Sequence, residues 1–233
     1  MFVKICGITN EEDALLATAL GADAIGFIFA PSRRQVQAEH VRDIVKRLPG
    51  EILTVGVFKN ETQENVVETA GRIGLHAVQL SGSEPLSEVR WIRERVQFVI
   101  QAFSAGDPAL AAAANSPADV IMVDSPEPGS GKVFDWRLAE GAPGGVRLLL
   151  AGGLTPDNVA DAISIVRPWG VDVATGVETS PGKKDARKLR RFIEAARETD
   201  EELADRLPET APRSPDDETV GGVSRPWDWQ LDD

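Results

Sequence analysis

Cys6, the only cysteine in the chain, closes the run Phe2-Val3-Lys4-Ile5-Cys6 and is followed by Gly7-Ile8-Thr9-Asn10. Phe2 to Ile5 read as a short strand, and Gly7 to Asn10 break it before a helical pattern begins. A thiol at the carboxyl end of a first strand, beside a glycine, is within reach of a small molecule, and its thiolate could act as base or nucleophile. The plainer reading of a lone cysteine is a small buried hydrophobe. Asp124 closes a second apolar run, Val120-Ile121-Met122-Val123. A carboxylate held at such an end has its pKa raised and suits a general acid, or it caps the turn that Ser125-Pro126 opens. Arg33 and Arg34 form a basic pair in an acidic chain. They fit a bidentate clamp for a carboxylate or phosphate, or else are solvated loop charges. His40 and His76 stand apart from other ligand types, so no metal site is expected, and His76 reads as a core or strand-end histidine.

Two glycine-bearing segments late in the chain complete the chemical inventory. Gly152-Gly153 would let backbone amides approach a ligand, and Thr155-Pro156-Asp157 opens a helix with Thr155 as N-cap and Pro156 at the first helical position. Ala174-Thr175-Gly176 can supply further amides. Either segment alone reads as turn glycines. The pair fits a phosphate held at a helix amino terminus.

These groups need a scaffold that brings strand ends together. Short apolar runs recur at 2–6, 23–29, 52–58, 76–80, 97–102, 119–124, 146–151 and 171–175. Between most of them lie amphipathic stretches, over Glu11–Leu20, Ala38–Leu48, Thr62–Ile73, Glu84–Arg95, Pro156–Val166 and Lys184–Arg197. Apolar residues there recur at three and four, as a helix with one buried face requires. The strand runs are continuously apolar, as parallel strands covered on both faces are. Eight such strands alternating with helices predict an α/β fold, a closed (β/α)8 TIM barrel, with an open doubly wound sheet as the runner-up. No Gly-x-Gly-x-x-Gly follows an early strand, which weakens a dinucleotide fold. Two connections are poorly defined: Asp107–Asn115, alanine-rich, and Asp135–Glu140, with room for one or two turns. A barrel gathers its site at the carboxyl ends of the strands, and polar, charged or glycine residues stand at almost every one. They include Cys6-Gly7, Ser32-Arg33-Arg34, Lys59-Asn60, Ser81-Gly82, Asp124 with a Gly129-Ser130-Gly131-Lys132 loop, Gly152-Gly153 and Gly176-Val177-Glu178.

The 233 residues carry 37 acidic against 25 basic side chains, a net charge of −12, which argues against a nucleic-acid partner. One cysteine fits a reducing, cytoplasmic setting. No leader pattern stands at the start and no run is long enough to span a membrane. Residues 1–198 are expected to form the barrel. Residues 199–233, acidic and rich in proline, are expected to be a disordered or loosely packed extension, with Trp227 and Trp229 packing back on the barrel or meeting a partner. The acidity would also suit a saline cytoplasm.

Taken in order, the segments Lys4-Ile5-Cys6-Gly7-Ile8-Thr9, Gly26-Phe27-Ile28-Phe29 with Ser32-Arg33-Arg34, Val55-Gly56-Val57-Phe58, Ala77-Val78-Gln79-Leu80, Asp124-Ser125, Gly129 to Trp136, Ala151-Gly152-Gly153-Leu154, Val171-Asp172-Val173, Gly176-Val177-Glu178 and Pro181 to Asp185 resemble the phosphoribosylanthranilate isomerase family of tryptophan biosynthesis over about residues 2–198. The resemblance implies an Amadori rearrangement of a phosphorylated small-molecule substrate by acid and base, with no cofactor. In that likeness Asp124 is the general acid, Cys6 the general base, Arg34 the residue near the anthranilate, and Gly153, Thr175 and Gly176 the phosphate contacts. A thiol near its ordinary pKa of about 8.5 is only a few per cent ionised at neutral pH, so the base needs a lowered pKa or a helper. Lys4 is not expected to be that helper, because it would point the same way only if the strand bent. Ser81 stands where the family usually has histidine, which puts the surroundings of the site in question. The histidine-pathway isomerases share the barrel but use two aspartates, and Cys6 favours the tryptophan enzyme. A non-catalytic barrel that binds a phosphorylated metabolite is the reading from another class.

Overall fold

A computed structural model describes residues 1–126, 129, 131, 133, 135–141 and 145–205, with the side chains of 137, 140 and 141 left aside. Ser130, Lys132, Trp227 and Trp229 lie outside the described residues.

Each apolar run becomes a strand: β1 (Phe2–Ile5), β2 (Ala24–Ile28), β3 (Leu53–Phe58), β4 (Ala77–Leu80), β5 (Phe98–Ser104), β6 (Val120–Asp124), β7 (Leu148–Leu150) and β8 (Gly170–Val173). They pair in parallel, in chain order, and β8 closes on β1 with Lys4 beside Asp172 and Ile5 beside Val173. The expected closed barrel is therefore present, and the open sheet is not.

Strand side chains alternate between two faces. One face fills the barrel with Phe2, Ala24, Val55, Ala77, Ile100, Met122, Leu149 and their neighbours. The other packs outward, with Val3, Ile5, Ile25 and Val123 meeting Ala14, Val41, Ile163, Leu189 and Phe192 of the surrounding helices. Those helices are α1 (Glu11–Ala19), α2 (Ala38–Val45), α3 (Gln63–Ile73), α4 (Leu86–Arg93), α5 (Val159–Val166) and α6 (Ala186–Asp205). Caps fix several of their ends. The Asn10 side chain accepts from the Asp13 amide at 2.8 Å at the start of α1, and Gly74, at φ 82°, takes the left-handed turn that ends α3.

The structure resolves the two poorly defined connections as 3-10 turns and departs from expectation in the segments after them. The alanine-rich segment forms a 3-10 helix over Pro108–Asn115, in which Leu110 and Ala113 are the buried pair. Their spacing of three matches the 3-10 period, where such residues eclipse. A second 3-10 stretch covers Trp136–Gly141. Helix α5 begins at Val159, not at Pro156, so Thr155 is not its N-cap: the Asn158 side chain accepts from the Thr155 amide at 2.7 Å and donates to the Gly153 carbonyl at 3.1 Å, which holds 155–158 as a turn. A small antiparallel hairpin, β9 (Glu178–Ser180) with β10 (Lys183–Lys184), turns at Gly182, whose φ is 81°.

Helix α6 also runs to Asp205, eight residues beyond the Arg197 end expected from periodicity, so residues 199–205 of the expected extension belong to it. Anchors past that point explain its length. Arg197 binds both oxygens of buried Asp23, at 2.8 and 2.7 Å, and the Met1 carbonyl. Asp200 pairs with the Met1 amino group, and Leu203 packs against the core. Asp23 in turn accepts from the Val3 amide at 2.7 Å, which ties the helix to the foot of the barrel. Phe192, fully buried on the inner face of α6, should be the most sensitive point of this contact. Phe192→Ala is expected to cost about 3–5 kcal/mol, read as a lower urea midpoint with an unchanged denaturant slope.

Candidate active site

On β1 the inward positions are Phe2, Lys4 and Cys6, since residues two apart on a strand share a face. Lys4 and Cys6 therefore point the same way with no bend, and the sequence-based dismissal of Lys4 is corrected. Both hang over Gly26 of β2: a Cβ there would lie 2.9 Å from the Cys6 sulfur and 3.2 Å from the Lys4 nitrogen, so only glycine leaves them room. Lys4 is wholly buried and donates to Asp172 on β8 at 2.7 Å. Burial pushes the Cys6 thiol up, and the Lys4 ammonium pulls it back down less strongly. The lone cysteine is thus buried, as the plain reading had it, yet its neighbours are charges.

Above this layer runs a second set of buried charges. Arg34 grips Glu178 with two parallel bonds of 2.7 Å each, from Nε and Nη2, and Nη2 also donates to the Thr175 hydroxyl at 3.0 Å. Arg33 is exposed, so of the basic pair only Arg34 enters the site. The Lys184 ammonium donates to the Cys6 carbonyl at 2.6 Å, the Ala174 carbonyl at 3.2 Å and Glu178 at 3.1 Å. Glu178 is held below the usual carboxylate range by these cations, Arg34 first, against the opposing effect of burial. Gly7, at φ 73°, is forced by the same packing, because a Cβ there would stand 2.5 Å from Arg34 Cδ.

Asp124 ends β6 at the same mouth. Burial raises its carboxyl to about 6, against a bond of 2.7 Å from the Ser125 amide that favours the ionised form, while the nearby Asp172 charge adds to the rise. One cavity is lined by Asp124, Asp172, Gly152, Gly153, Thr175 and Gly176. A Cβ on Gly176 would lie 1.9 Å from the Leu154 carbonyl, so the loops after β7 and β8 touch backbone to backbone. Gly131 packs its missing Cβ toward Thr175, and Gly129 accepts from the Thr175 hydroxyl at 3.4 Å, which brings the loop after β6 over the same cavity. Cys6, Arg34, Asp124, Gly153, Thr175 and Gly176 therefore all meet at the mouth. Ser81 follows β4 and accepts from Gln79 at 3.0 Å, a short polar link inside the mouth. His76 sits at the opposite end of β4 with its Nδ1 accepting from the Thr54 amide at 3.1 Å, as a strand-end histidine, and His40 bonds the Thr9 carbonyl at 3.0 Å.

Sequence reasoning gave no role to Lys4, Asp172, Glu178 or Lys184. The signal for Lys4 and Asp172 was a charged residue inside an otherwise apolar strand run. Glu178 stood among the charged residues at the strand ends, but nothing local paired it with Lys184, because a hairpin of unpredictable shape brings them together.

With this geometry in view, comparison with known proteins is decisive. A family model described as N-(5'phosphoribosyl)anthranilate (PRA) isomerase matches residues 3–195. The chain belongs to this family. An N-(5'-phosphoribosyl)anthranilate isomerase of Desulforudis audaxviator is 47% identical over 203 residues, covering 84% of this chain and 98% of that one. The Thermotoga maritima protein of the same name is 44% identical over 200 residues, with 84% and 98% covered. Among solved structures, the phosphoribosyl anthranilate isomerase of Thermus thermophilus superposes with a TM-score of 0.80 at 38% identity, covering 85% of this chain and 99% of that one. Another family structure, 40% identical with a TM-score of 0.74 over the same shares, was solved in complex with reduced 1-(o-carboxyphenylamino)-1-deoxyribulose 5-phosphate.

The raised Asp124 carboxyl has a consequence for stability that is independent of turnover. Its pKa is about 6 in the folded state against an ordinary 3.8, so the folded state binds the proton more tightly than the unfolded chain. Stability from this group is full below about pH 4 and is lost as pH rises through about 6. Asp124→Asn removes the cost of burying the charge. It should match the wild type near pH 4 and exceed it by on the order of 2 kcal/mol above about pH 7, measured by urea unfolding at the two pH values.

Proposed function

We propose that this chain is an N-(5'-phosphoribosyl)anthranilate isomerase of L-tryptophan biosynthesis, which converts its substrate by an Amadori rearrangement to 1-(2-carboxyphenylamino)-1-deoxyribulose 5-phosphate. Asp124, in its protonated form, gives its proton to the furanose ring oxygen as the C1′–oxygen bond breaks, leaving a Schiff base between C1′ and the anthranilate nitrogen. Cys6, as thiolate, removes the C2′ proton, and the electron pair moves to give an enolamine. The C2′ hydroxyl then loses its proton and C1′ gains one, which yields the ketone. No atom is lost or gained overall, and C1′ is reduced as C2′ is oxidised within the one substrate, an intramolecular oxidoreduction (aldose-ketose isomerisation) that needs no redox cofactor. Gly153 and Gly176 offer backbone amides to the phosphate, with Thr175 beside them. Arg34, its charge already matched by Glu178, presents a fixed planar guanidinium near the anthranilate ring.

The observation that carries this reading is a carboxyl held up to about 6 at the same barrel mouth as the only thiol, beside a cavity walled by Gly153, Thr175 and Gly176. A group with that pKa still carries a proton to give near neutral pH. The site's setting agrees with a small phosphorylated substrate, and the net charge of −12 opposes nucleic acid. Among the described residues no helix is long and apolar enough to cross a membrane, and a biosynthetic isomerase with an unpaired thiol fits the cytoplasm.

The two pKa values impose a constraint. With Asp124 at about 6 and the Cys6 thiol held above its ordinary value by burial, the form with acid protonated and thiol ionised is the minor one of the two singly protonated states. The kcat/KM profile should then rise through about pH 6 and fall only at alkaline pH where the thiol titrates, and in Asp124→Asn the residual activity should rise at the thiol's own midpoint with no fall after it.

Turnover is read directly from the loss of fluorescence of freshly made phosphoribosylanthranilate. Cys6→Ser and Asp124→Asn are each expected to lower kcat by about 10²–10⁴. A wild type no faster than the two variants would overturn the isomerase reading. Unchanged turnover in Cys6→Ser would overturn the assignment of the base and leave the family fold intact.

A further inference from the structure

The proposed base is buried, and burial opposes its ionisation. Something in the molecule must hold the charge when the thiolate forms. Among the described residues the groups that face Cys6 come from four elements: Lys4 on β1 itself, Asp172 on β8, Lys184 on β10 and Arg34 after β2. Asp124 on β6 acts on Lys4 and Asp172 from across the mouth, and Glu178 is bonded to both Arg34 and Lys184.

Three cations, Lys4, Lys184 and Arg34, thus stand against two carboxylates, Asp172 and Glu178, and leave one uncompensated positive charge. One anion completes the cluster, and two residues compete to be that anion, Asp124 and Cys6. Arg34 and Lys184 are bonded to Glu178, and Lys184 hydrogen-bonds Cys6 at its backbone carbonyl, so that its charge lowers the thiol less than that of Lys4 does. Lys4 is different. Its ammonium lies beside the sulfur over Gly26, and among the described residues Asp172 is its carboxylate partner within 4 Å.

We infer that Lys4 is the positioning residue of the base, an ammonium aligned by Asp172 that donates to the Cys6 thiolate and holds its charge inside the barrel mouth. The inference rests on Cys6 being the base of the proposed reaction. In the step itself Cys6 takes the C2′ proton and becomes a neutral thiol, while Lys4 keeps all three of its protons. Asp172 plays a double part, since it fixes the direction of the ammonium and also competes with the sulfur for it.

That competition gives a test with a counterintuitive sign. The chain has one cysteine and no tyrosine, so the ultraviolet absorbance of the thiolate can be titrated in the whole protein with Cys6→Ser as blank. Asp172→Asn frees the ammonium for the sulfur and is expected to lower the Cys6 midpoint by about one pH unit. Lys4→Met is expected to raise it by about one unit or more, and Lys4→Met combined with Asp172→Asn to sit at least about one unit above Asp172→Asn alone. Equal midpoints in Asp172→Asn and the double variant would overturn the inference, as would a midpoint in Asp172→Asn no lower than in the wild type. Because loss of the Asp172 charge by itself also lowers the midpoint, the double variant decides; should Lys4→Met fail to fold, Lys4→Gln, a polar side chain without the charge, takes its place in both. The titration reads the sulfur whether or not the chain turns over phosphoribosylanthranilate, so it fails separately from the functional assignment.

Discussion

The buried ion pair between Lys4 and Asp172 spans the seam at which the barrel closes. The two residues are lateral neighbours in the β1–β8 pairing, and their charged atoms meet at 2.7 Å with almost no water around them. Taking two ions out of water costs several kcal/mol each, and replacing such a pair by apolar residues is often neutral or stabilising. Ten apolar residues fill the rest of the barrel interior without difficulty, from Phe2 to Ala151. The pair's worth therefore lies in what it does to its surroundings. It sets the field around a neighbouring thiol, which Lys4 draws back down against burial, and around a carboxyl two strands away, which the Asp172 charge helps to raise.

The second network does a mechanical job that the first cannot. Arg34, Glu178 and Lys184 join the loop after β2, the hairpin after β8 and the carbonyl end of β1 through bonds of 2.6 to 3.1 Å. Every one of these segments leaves its strand at the mouth, where loops are otherwise free to move. Charge-assisted bonds among buried partners hold them in one arrangement, so that the thiol, the guanidinium and the glycine walls of the cavity keep fixed separations. The glycines serve the same end by subtraction. Gly26 leaves room for sulfur and ammonium, Gly7 for the Arg34 stem, and Gly176 for the Leu154 carbonyl. A methyl at any of them would push apart groups that the reaction needs together.

Most of the architecture was legible in the sequence because a parallel barrel writes itself in a repeating pattern. Continuous apolar runs mark strands with both faces covered, and the runs at 2–6 and 171–175 needed only a closure rule to become neighbours. Cys6, Arg34, Asp124, Gly153, Thr175 and Gly176 could be placed for the same reason, since each follows or ends a strand. The helper of Cys6 was missed through a local misreading of strand direction, as Lys4 and Cys6 are two residues apart and share a face. Glu178 and Lys184 were hidden for a deeper reason. Their meeting depends on a hairpin whose turn at Gly182 has no periodic signature, and on partners more than a hundred residues away in Arg34 and Cys6. The length of α6 was hidden likewise, because Asp200 is anchored by the chain's own amino group and not by an apolar stripe.

The proposed acid step requires that burial among these charges leave Asp124 able to hold a proton near neutral pH. A carboxyl carbon-13 titration of the folded wild type, with Asp124→Asn to identify the resonance, measures this directly. A midpoint of about 6 is expected for Asp124. A midpoint at the ordinary aspartate value of about 4 would contradict it, because Asp124 would then be fully ionised in the range where the proposed acid must give a proton.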